Sequence, residues 1–207
     1  MDIIDLKKEV WEYFLPYFSY DGNTMEFNYA RSGTISEKEF WKDDVLECPS
    51  TTAIWLASDT APELASHLFL GYSARDILSF AHFCTDWLIG SQSVAFAALG
   101  MLPSRIQIDW FRLKFPNAKV HALFGTDIIG RIADCKVALW LHQSDAEFRL
   151  VDDYLMVNGK LSFTMLCDQF SFDRFKRKYR LHSQMRTHKP TYPLGTYGDY
   201  FSILDKS

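Results

Sequence analysis

The sequence predicts an α/β protein with a mostly parallel sheet flanked by helices, followed by a C-terminal β-hairpin and a basic helix. Residues 67–70 and 120–124 are short apolar runs, and each leads into a turn that opens an amphipathic helix. Residues 94–99 are almost continuously apolar, as in strands that are covered on both faces. Strands that alternate with helices in this way are typical of a parallel sheet.

The first 50 residues have weaker patterns. A helix is predicted at residues 2–17 from the spacing of the apolar residues Ile3, Leu6, Val10, Tyr13, Phe14 and Tyr17. Residues 20–50 are less regular, with a turn at 21–23 and the spacing of a helix cap at Ser36 and Glu39. We therefore predict a helical or irregular extension at 1–50, an α/β core at 51–145, and a third segment at 146–207 that packs on the core.

The helices of the core carry recognisable start signals. Ser73 precedes a helix and has Asp76 three residues later, which is a variant of the capping box. In the helix predicted at 104–115, we expect Ile106, Trp110 and Leu113 to face inward. Thr126 is the predicted cap of the longest helix.

Composition limits the classes of protein. The chain has 207 residues, of which 48% are apolar, enough for a substantial core. Its four cysteines are far apart in sequence and form no C-x-x-C pair, so neither a zinc site nor a disulfide framework is expected. No apolar run is long enough to span a bilayer, and the N-terminus does not resemble a secretory signal. We expect a cytoplasmic protein with reduced thiols and no membrane partner.

Positive charge is concentrated near the C-terminus. Residues 171–189 contain seven Lys or Arg and one Asp, so this segment is +6 and the rest of the chain −10, for a total of −4. The predicted nucleic-acid contacts are Arg174, Lys176, Arg177, Lys178, Arg180, Arg186 and Lys189. The alternative is a solvated helix face that is attracted to the acidic remainder of the protein.

Two further patterns describe this C-terminal segment. Phe172, Phe175 and Tyr179 have helical spacing and are expected to pack one face of a helix at about residues 173–181. Upstream, residues 154–157 and 160–163 flank Asn158-Gly159, which predicts a β-hairpin with a two-residue turn.

Residues 67–80, 94–100 and 123–130 together resemble the TOPRIM (topoisomerase–primase) family, most closely the versions fused to primases and relaxases of bacterial mobile elements. The first stretch resembles the family motif of strand, Glu-Gly pair and helix. The last resembles the Asp-x-Asp-x-x-Gly motif, and residues 197–204 resemble the closing segment. The resemblance implies a parallel α/β fold and a setting in DNA processing on a bacterial mobile element or phage.

The residues that differ from the family pattern are the acidic ones. The family's Glu falls on Tyr72 and its first paired Asp on Gly125, so that Asp127 remains, with Asp76 nearby. Magnesium requires several converging oxygen ligands. Asp127 and Asp76 are therefore the candidate catalytic residues and Asp127 the candidate metal ligand, but both are interpreted more simply as acids that cap helices.

Three functional hypotheses follow. The first is a non-catalytic TOPRIM-like protein associated with DNA or RNA, which needs no cofactor. The second is a magnesium-dependent nuclease or phosphotransferase that uses Asp127 with displaced acids such as Asp59, Asp109 or Asp134. The third is a protein-interaction or inhibitor module. His67 and His121, which lie in or beside strands, are expected to be hydrogen-bonded structural residues rather than a metal site.

Overall fold

The computed structural model describes residues 6–31, 33–43, 45–90, 92–191 and 195–204. Seven α-helices lie in these ranges: α1 (Lys8–Phe14), α2 (Ala74–Phe83), α3 (Asp86–Ile89), α4 (Arg105–Lys114), α5 (Ile128–Leu141), α6 (Phe172–Tyr179) and α7 (Tyr197–Leu204). The same ranges contain twelve strands: β1 (Ser19–Asp21), β2 (Thr24–Arg31), β3 (Thr34–Lys42), β4 (Val45–Glu47), β5 (Trp55–Ser58), β6 (His67–Gly71), β7 (Val94–Ala98), β8 (Lys119–Ala122), β9 (Ala146–Val151), β10 (Tyr154–Gly159), β11 (Phe163–Leu166) and β12 (Arg186–Thr187).

A five-stranded sheet forms the centre of the protein, with the strand order β12-β8-β6-β7-β5. The first four of these strands are parallel and β5 pairs antiparallel to β7. The prediction of an α/β protein with a mostly parallel sheet is therefore confirmed. Helix α2 connects β6 to β7, and α4 leads back across β6 to β8. The strand order thus reverses between β6 and β8, the position where open α/β sheets place ligand sites.

Both faces of this sheet are covered. Because side chains alternate along a strand, Leu68 and Leu70 pack with α4 and α5 on one face, whereas Phe69 packs with α1 and α2 on the other. Burial on both faces explains why β7 reads as a continuous apolar run, since all five of its residues are buried.

The prediction that residues 20–50 are irregular was wrong. Strands β1–β4 form a four-stranded antiparallel sheet over this region. Met25, Phe27 and Tyr29 alternate inward along β2 and join the core on the α1–α2 side of the central sheet. Of the helix predicted before this sheet, residues 2–5 lie outside the described residues, and the rest contains α1 followed by a single 3-10 turn at Leu15–Tyr17.

The prediction for the buried face of α4 was also wrong. Ile106, Trp110 and Leu113 face solvent, whereas the buried residues of α4 are Gln107, Ile108 and Phe111. Hydrogen bonds of the Gln107 side chain explain this orientation. Its amide NH₂ donates to the carbonyls of Ala53 and Leu99, both at 2.8 Å, and its oxygen accepts from the Ser104 backbone N–H. These buried hydrogen bonds fix the rotation of the helix about its axis.

The predicted hairpin is present but extended and shifted. Strand β10 pairs antiparallel with β11, and β9 adds a third strand on its other side. Asn158 and Gly159 belong to β10 instead of forming the turn. Gly159 is required by packing, because a Cβ there would lie 2.6 Å from the Tyr179 hydroxyl. The predicted basic helix is confirmed as α6, with Phe172, Phe175 and Tyr179 buried.

The longest described helix, α5, has 14 residues, and none of the helices in the described ranges combines the length and apolar character that a bilayer crossing needs.

Candidate functional site

The carboxyl ends of β6 and β8 meet at Tyr72 and Phe124, whose rings lie 4.8 Å apart. This is the position where the chain resembles the TOPRIM acidic motifs. The backbone of the C-terminal segment lies directly over it, since the carbonyl of Gly195 accepts a hydrogen bond from Thr126 N at 2.8 Å. The Tyr72 hydroxyl is buried there without a hydrogen-bond partner among the described residues. The strand ends are thus covered by the chain itself.

A carboxylate from outside the predicted core occupies the N-terminus of α2. Glu39 on β3 is fully buried, and its oxygens accept hydrogen bonds from Ala74 N at 2.9 Å and Arg75 N at 3.0 Å. The Tyr29 hydroxyl donates a third bond at 2.6 Å. Burial raises the pKa of Glu39 to about 7, and these hydrogen bonds oppose the rise. Glu39 therefore occupies the backbone N–H groups at the N-terminus of α2, which is where a helix would otherwise bind an anion.

Asp76 lies in the first turn of the same helix and is also buried. Its backbone N–H bonds to the Ser73 hydroxyl at 3.0 Å, which confirms Ser73 as the N-cap. The Asp76 carboxylate does not turn back to Ser73 N in a capping box; its Oδ1 accepts from Gly198 N at 3.0 Å. Burial raises its pKa. Asp76 thus links α2 to the start of α7.

Asp127 is the N-cap of α5, which corrects the prediction that Thr126 caps this helix. Asp127 Oδ1 accepts from Gly130 N at 2.7 Å. Gly125, which stands at the position of the family's first paired Asp, is tightly enclosed. A Cβ there would lie 3.0 Å from the Gly195 carbonyl and 3.2 Å from Asp127 Oδ1.

Asp134 on α5 forms an ion pair with Lys189 beside the residues that follow β8. Lys189 Nζ lies 2.7 Å from Asp134 Oδ2 and donates to the carbonyls of Phe124 and Gly125 at 2.6 and 2.9 Å. Asp134 is fully buried and its Oδ1 accepts no hydrogen bond from the described residues, so burial raises its pKa to about 7. Lys189, predicted as a nucleic-acid contact, is instead committed to this internal contact.

The other candidate acids do not converge on this position. Asp59 is exposed, and Asp109 on α4 pairs with Arg105 and Arg112 on its own helix. Among the described residues, no three His, Cys, Asp or Glu side chains are grouped in a way that could hold a metal ion.

A chain of three histidines runs across the central sheet, from His67 at the start of β6 through His121 in β8 to His188, which follows β12. His67 Nδ1 and His121 Nε2 are 2.8 Å apart, as are His121 Nδ1 and His188 Nε2. The residues come from β6, β8 and the end of β12, and His121 is fully buried. Burial lowers the pKa of each, that of His121 to about 3. We call this the histidine chain; its N···N distances are hydrogen-bond distances between neutral rings.

Helix α6 presents the basic residues to solvent because its aromatic face is buried. Arg174, Arg177, Lys178 and Arg180 are exposed. Lys176 differs, since it lies over the Phe172 ring and pairs with Asp173 at 3.0 Å. The predicted basic set is therefore divided, with Arg174, Arg177 and Lys178 on the exposed face of α6 and Arg180 at its C-cap.

A surface groove of about 610 Å³ runs between α6 and the β9–β11 sheet. It is lined by Arg174, Arg177, Lys178, Tyr154, Thr164, Met165, Leu166 and Gln169, none of which is acidic. Arg174 donates to the carbonyl of Gln169 at 2.9 Å, and both residues belong to this lining. Tyr154 is 49% exposed and presents its ring to solvent. Arg186 lies on β12 and is not part of this lining.

Sequence reasoning missed three of these residues. Glu39 lies two residues before Trp41 on β3 and therefore on the same face of the strand, which is the local sign that it faces inward. The sequence predicts Tyr154 only as a strand residue of the hairpin, and no pattern in it connects His188 with the two histidines in the strands. Each owes its position to contacts between distant parts of the chain.

No protein-family model matches the chain, and no curated protein matches it. Among solved structures, it is similar to a chain in the structure of the bacteriophage T7 lagging-strand DNA polymerase interacting with primase domains of two gp4 subunits bound to an RNA/DNA hybrid and dTTP. The TM-score is 0.46 and the identity 14%, over 66% of this chain and 70% of that chain. A similarity at this level assigns no activity to the protein.

Proposed function

We propose that this protein binds nucleic acid through the groove beside α6 and does not catalyse phosphoryl transfer. The groove is the observation that carries the proposal, because Arg174, Arg177 and Lys178 line it together and no acid does. Arg and Lys that neutralise phosphates release counterions, which is the main source of affinity for nucleic acids. Tyr154 adds an exposed ring on which a base can stack.

The orientation of the basic residues is built into the helix. Phe172, Phe175 and Tyr179 are buried, and the Tyr179 hydroxyl accepts from Lys160 N at 2.9 Å. Helix α6 therefore has one rotation about its axis that satisfies its apolar face, and this rotation directs the charges toward solvent. The alternative, a basic face neutralised by the protein's own acids, receives little support, since the lining of the groove contains none.

The carboxylates at the strand ends support the non-catalytic part of the proposal. Glu39, Asp76 and Asp127 each accept hydrogen bonds from backbone N–H groups, and Asp134 pairs with Lys189. A magnesium ion would have to displace these contacts to collect enough oxygen ligands. The TOPRIM resemblance and its setting, DNA processing on a bacterial mobile element or phage, belong to the same proposal.

Fluorescence anisotropy with a labelled 20-nucleotide single strand and the matching duplex tests the proposal. The double variant Arg177→Glu/Lys178→Glu should lose binding. Lys42→Glu/Lys114→Glu, which changes the net charge by the same amount at exposed positions outside the groove, should retain it. Loss in both double variants alike would reject the groove as the contact surface.

Two other outcomes would replace the proposal. Cleavage of either substrate in magnesium or manganese, abolished by Asp127→Asn, would identify a metal-dependent enzyme; asparagine is chosen because it can still cap α5. Absence of binding at 50 mM salt to DNA and to RNA would instead favour a protein-interaction or inhibitor module.

A further inference from the structure

Helix α4 leaves a stripe of large apolar side chains in solvent. Ile106, Trp110 and Leu113 are 58%, 37% and 73% exposed and have the i, i+4, i+7 spacing of one helix face. Met101 and Leu102, in the turn that precedes the helix, are 59% and 67% exposed. Single exposed apolar residues are ordinary, whereas a continuous stripe of them is typical of an interaction site.

A groove lies beside this stripe. Its volume is about 410 Å³, and it is lined by Ile106, Gln107 and Trp110 of α4 together with Ala30, Arg31, Gly33, Thr52, Ile54 and Leu56. Ile54 and Leu56 form an apolar wall opposite the helix. Gln107 is held in place by its buried hydrogen bonds to Ala53 and Leu99, so the wall on the helix side is fixed.

The charges around the stripe are mostly positive. Arg105, Arg112 and Lys114 lie on α4, and Arg31 lines the groove, where it donates to the Thr52 hydroxyl at 3.2 Å. Asp109 pairs with two of these arginines, so the rim as a whole is +3 within a chain of net charge −4. A second copy of the same surface would bring +3 against +3, which opposes self-association through this face.

We infer that the α4 stripe and its groove bind an amphipathic helix of a partner protein that has apolar anchors on one face and acidic residues on both flanks. In helix-in-groove recognition an amphipathic helix lays its apolar anchors into an apolar groove, and here Ile106, Trp110 and the Ile54–Leu56 wall provide the apolar surface that would receive them. The positive rim selects acidic flanks and disfavours basic ones. This site is separate from the basic groove beside α6, since no residue lines both.

The test uses three labelled 18-residue peptides with the full-length protein in an anisotropy titration. One has Leu at i, i+4, i+7 and i+11 with Glu on the flanks, one has Lys in place of Glu, and one has the Glu peptide's composition in scrambled order. We expect the Glu peptide to bind and the other two not to bind. Trp110→Ala should weaken its binding by about 30-fold, as truncation of an interface anchor does.

Matched variants identify the surface. Leu64→Ala removes an apolar side chain that is 71% exposed elsewhere and should leave binding unchanged. Leu113→Ala, at a similarly exposed position, should weaken it, and circular dichroism melts should show both variants folded. Arg31→Glu/Lys114→Glu should shift the preference toward the Lys peptide.

Three results would overturn the inference. Equal binding of the scrambled or the Lys peptide would show non-specific association. Unchanged affinity in both Trp110→Ala and Leu113→Ala would place the peptide elsewhere. A dimer detected by light scattering that Leu113→Glu converts to a monomer would show that a second copy covers the face. None of these results bears on nucleic-acid binding, so the two proposals fail independently.

Discussion

Replacing Glu39 by alanine tests whether the acid at the α2 N-terminus is structural. The substitution removes three hydrogen bonds, those from Ala74 N, Arg75 N and the Tyr29 hydroxyl, at a fully buried site. Each buried donor that loses its acceptor costs about 1–3 kcal/mol. Since water can enter the cavity and satisfy part of this set, we expect a loss of about 3–5 kcal/mol in the free energy of unfolding.

The assay is urea denaturation followed by tryptophan fluorescence and circular dichroism. Glu37→Ala is the matched control, because Glu37 lies on the same strand but is exposed; its effect should stay within about 0.5 kcal/mol. Glu39→Gln, which keeps one acceptor oxygen but places an NH₂ group beside backbone donors, should give an intermediate loss.

The pH dependence of the Glu39→Ala effect follows from the pKa. The folded pKa is raised to about 7, above an unfolded value of about 4.3. The contribution of Glu39 is therefore fully present below the unfolded value and declines as the pH rises through 7. The substitution should cost more at pH 5 than at pH 8. A loss no larger than that of Glu37→Ala, or one that grows with pH, would refute the structural role.

The remaining predictions concern the histidine chain, the buried ion pair and the missing acid. His121→Phe should reduce the loss of stability that occurs as the pH falls below 6.5. In this range the unfolded chain binds a proton at His121, whereas the folded chain does not, because the pKa of folded His121 is near 3. Denaturation between pH 4 and 7 should show that the slope of the free energy of unfolding against pH is smaller by up to about 1.4 kcal/mol per pH unit. Lys189→Met leaves Asp134 buried without its cation, so calorimetry at pH 8 should show a loss of about 3–5 kcal/mol in the free energy of unfolding. This loss should become smaller toward pH 5, because the raised pKa of Asp134 allows the carboxylate to take up a proton there. Gly125→Asp should lower the melting temperature because the new side chain contacts Gly195, and added magnesium should not restore it. A clear rise in melting temperature with magnesium would show that the introduced carboxylate completes a metal site, and it would contradict this prediction.

Elements that depend on neighbouring residues could be predicted from the sequence. Strands β6 and β7 follow from apolar runs, the start of α2 from Ser73, and the rotation of α6 from the spacing of its aromatics. Met25, Phe27 and Tyr29 alternate along β2 with the period of two that is typical of a strand with one buried face, so this element also has a local sequence signal.

Other features depend on contacts between distant residues. On α4, apolar residues occur on both faces, and the choice between them is made by Gln107, whose partners include Ala53, 54 residues away. Similarly, the role of Glu39 depends on Arg75, and that of Lys189 on Phe124. A sequence pattern identifies these residue types but not their partners, so the filling of the strand ends could be recognised only from the fold.

The most direct test of the central claim is the salt dependence of nucleic-acid binding. Three basic residues line the groove, and each neutralised phosphate of a single strand contributes about −0.7 to the slope of log K against log salt. Wild-type protein should therefore give a slope of about −2 on a labelled 20-nucleotide strand between 50 and 200 mM salt. Arg174→Gln/Arg177→Gln/Lys178→Gln should give a slope near zero with much weaker binding. An unchanged slope in this variant, or hydrolysis of the strand by the wild-type protein in magnesium, would contradict the account.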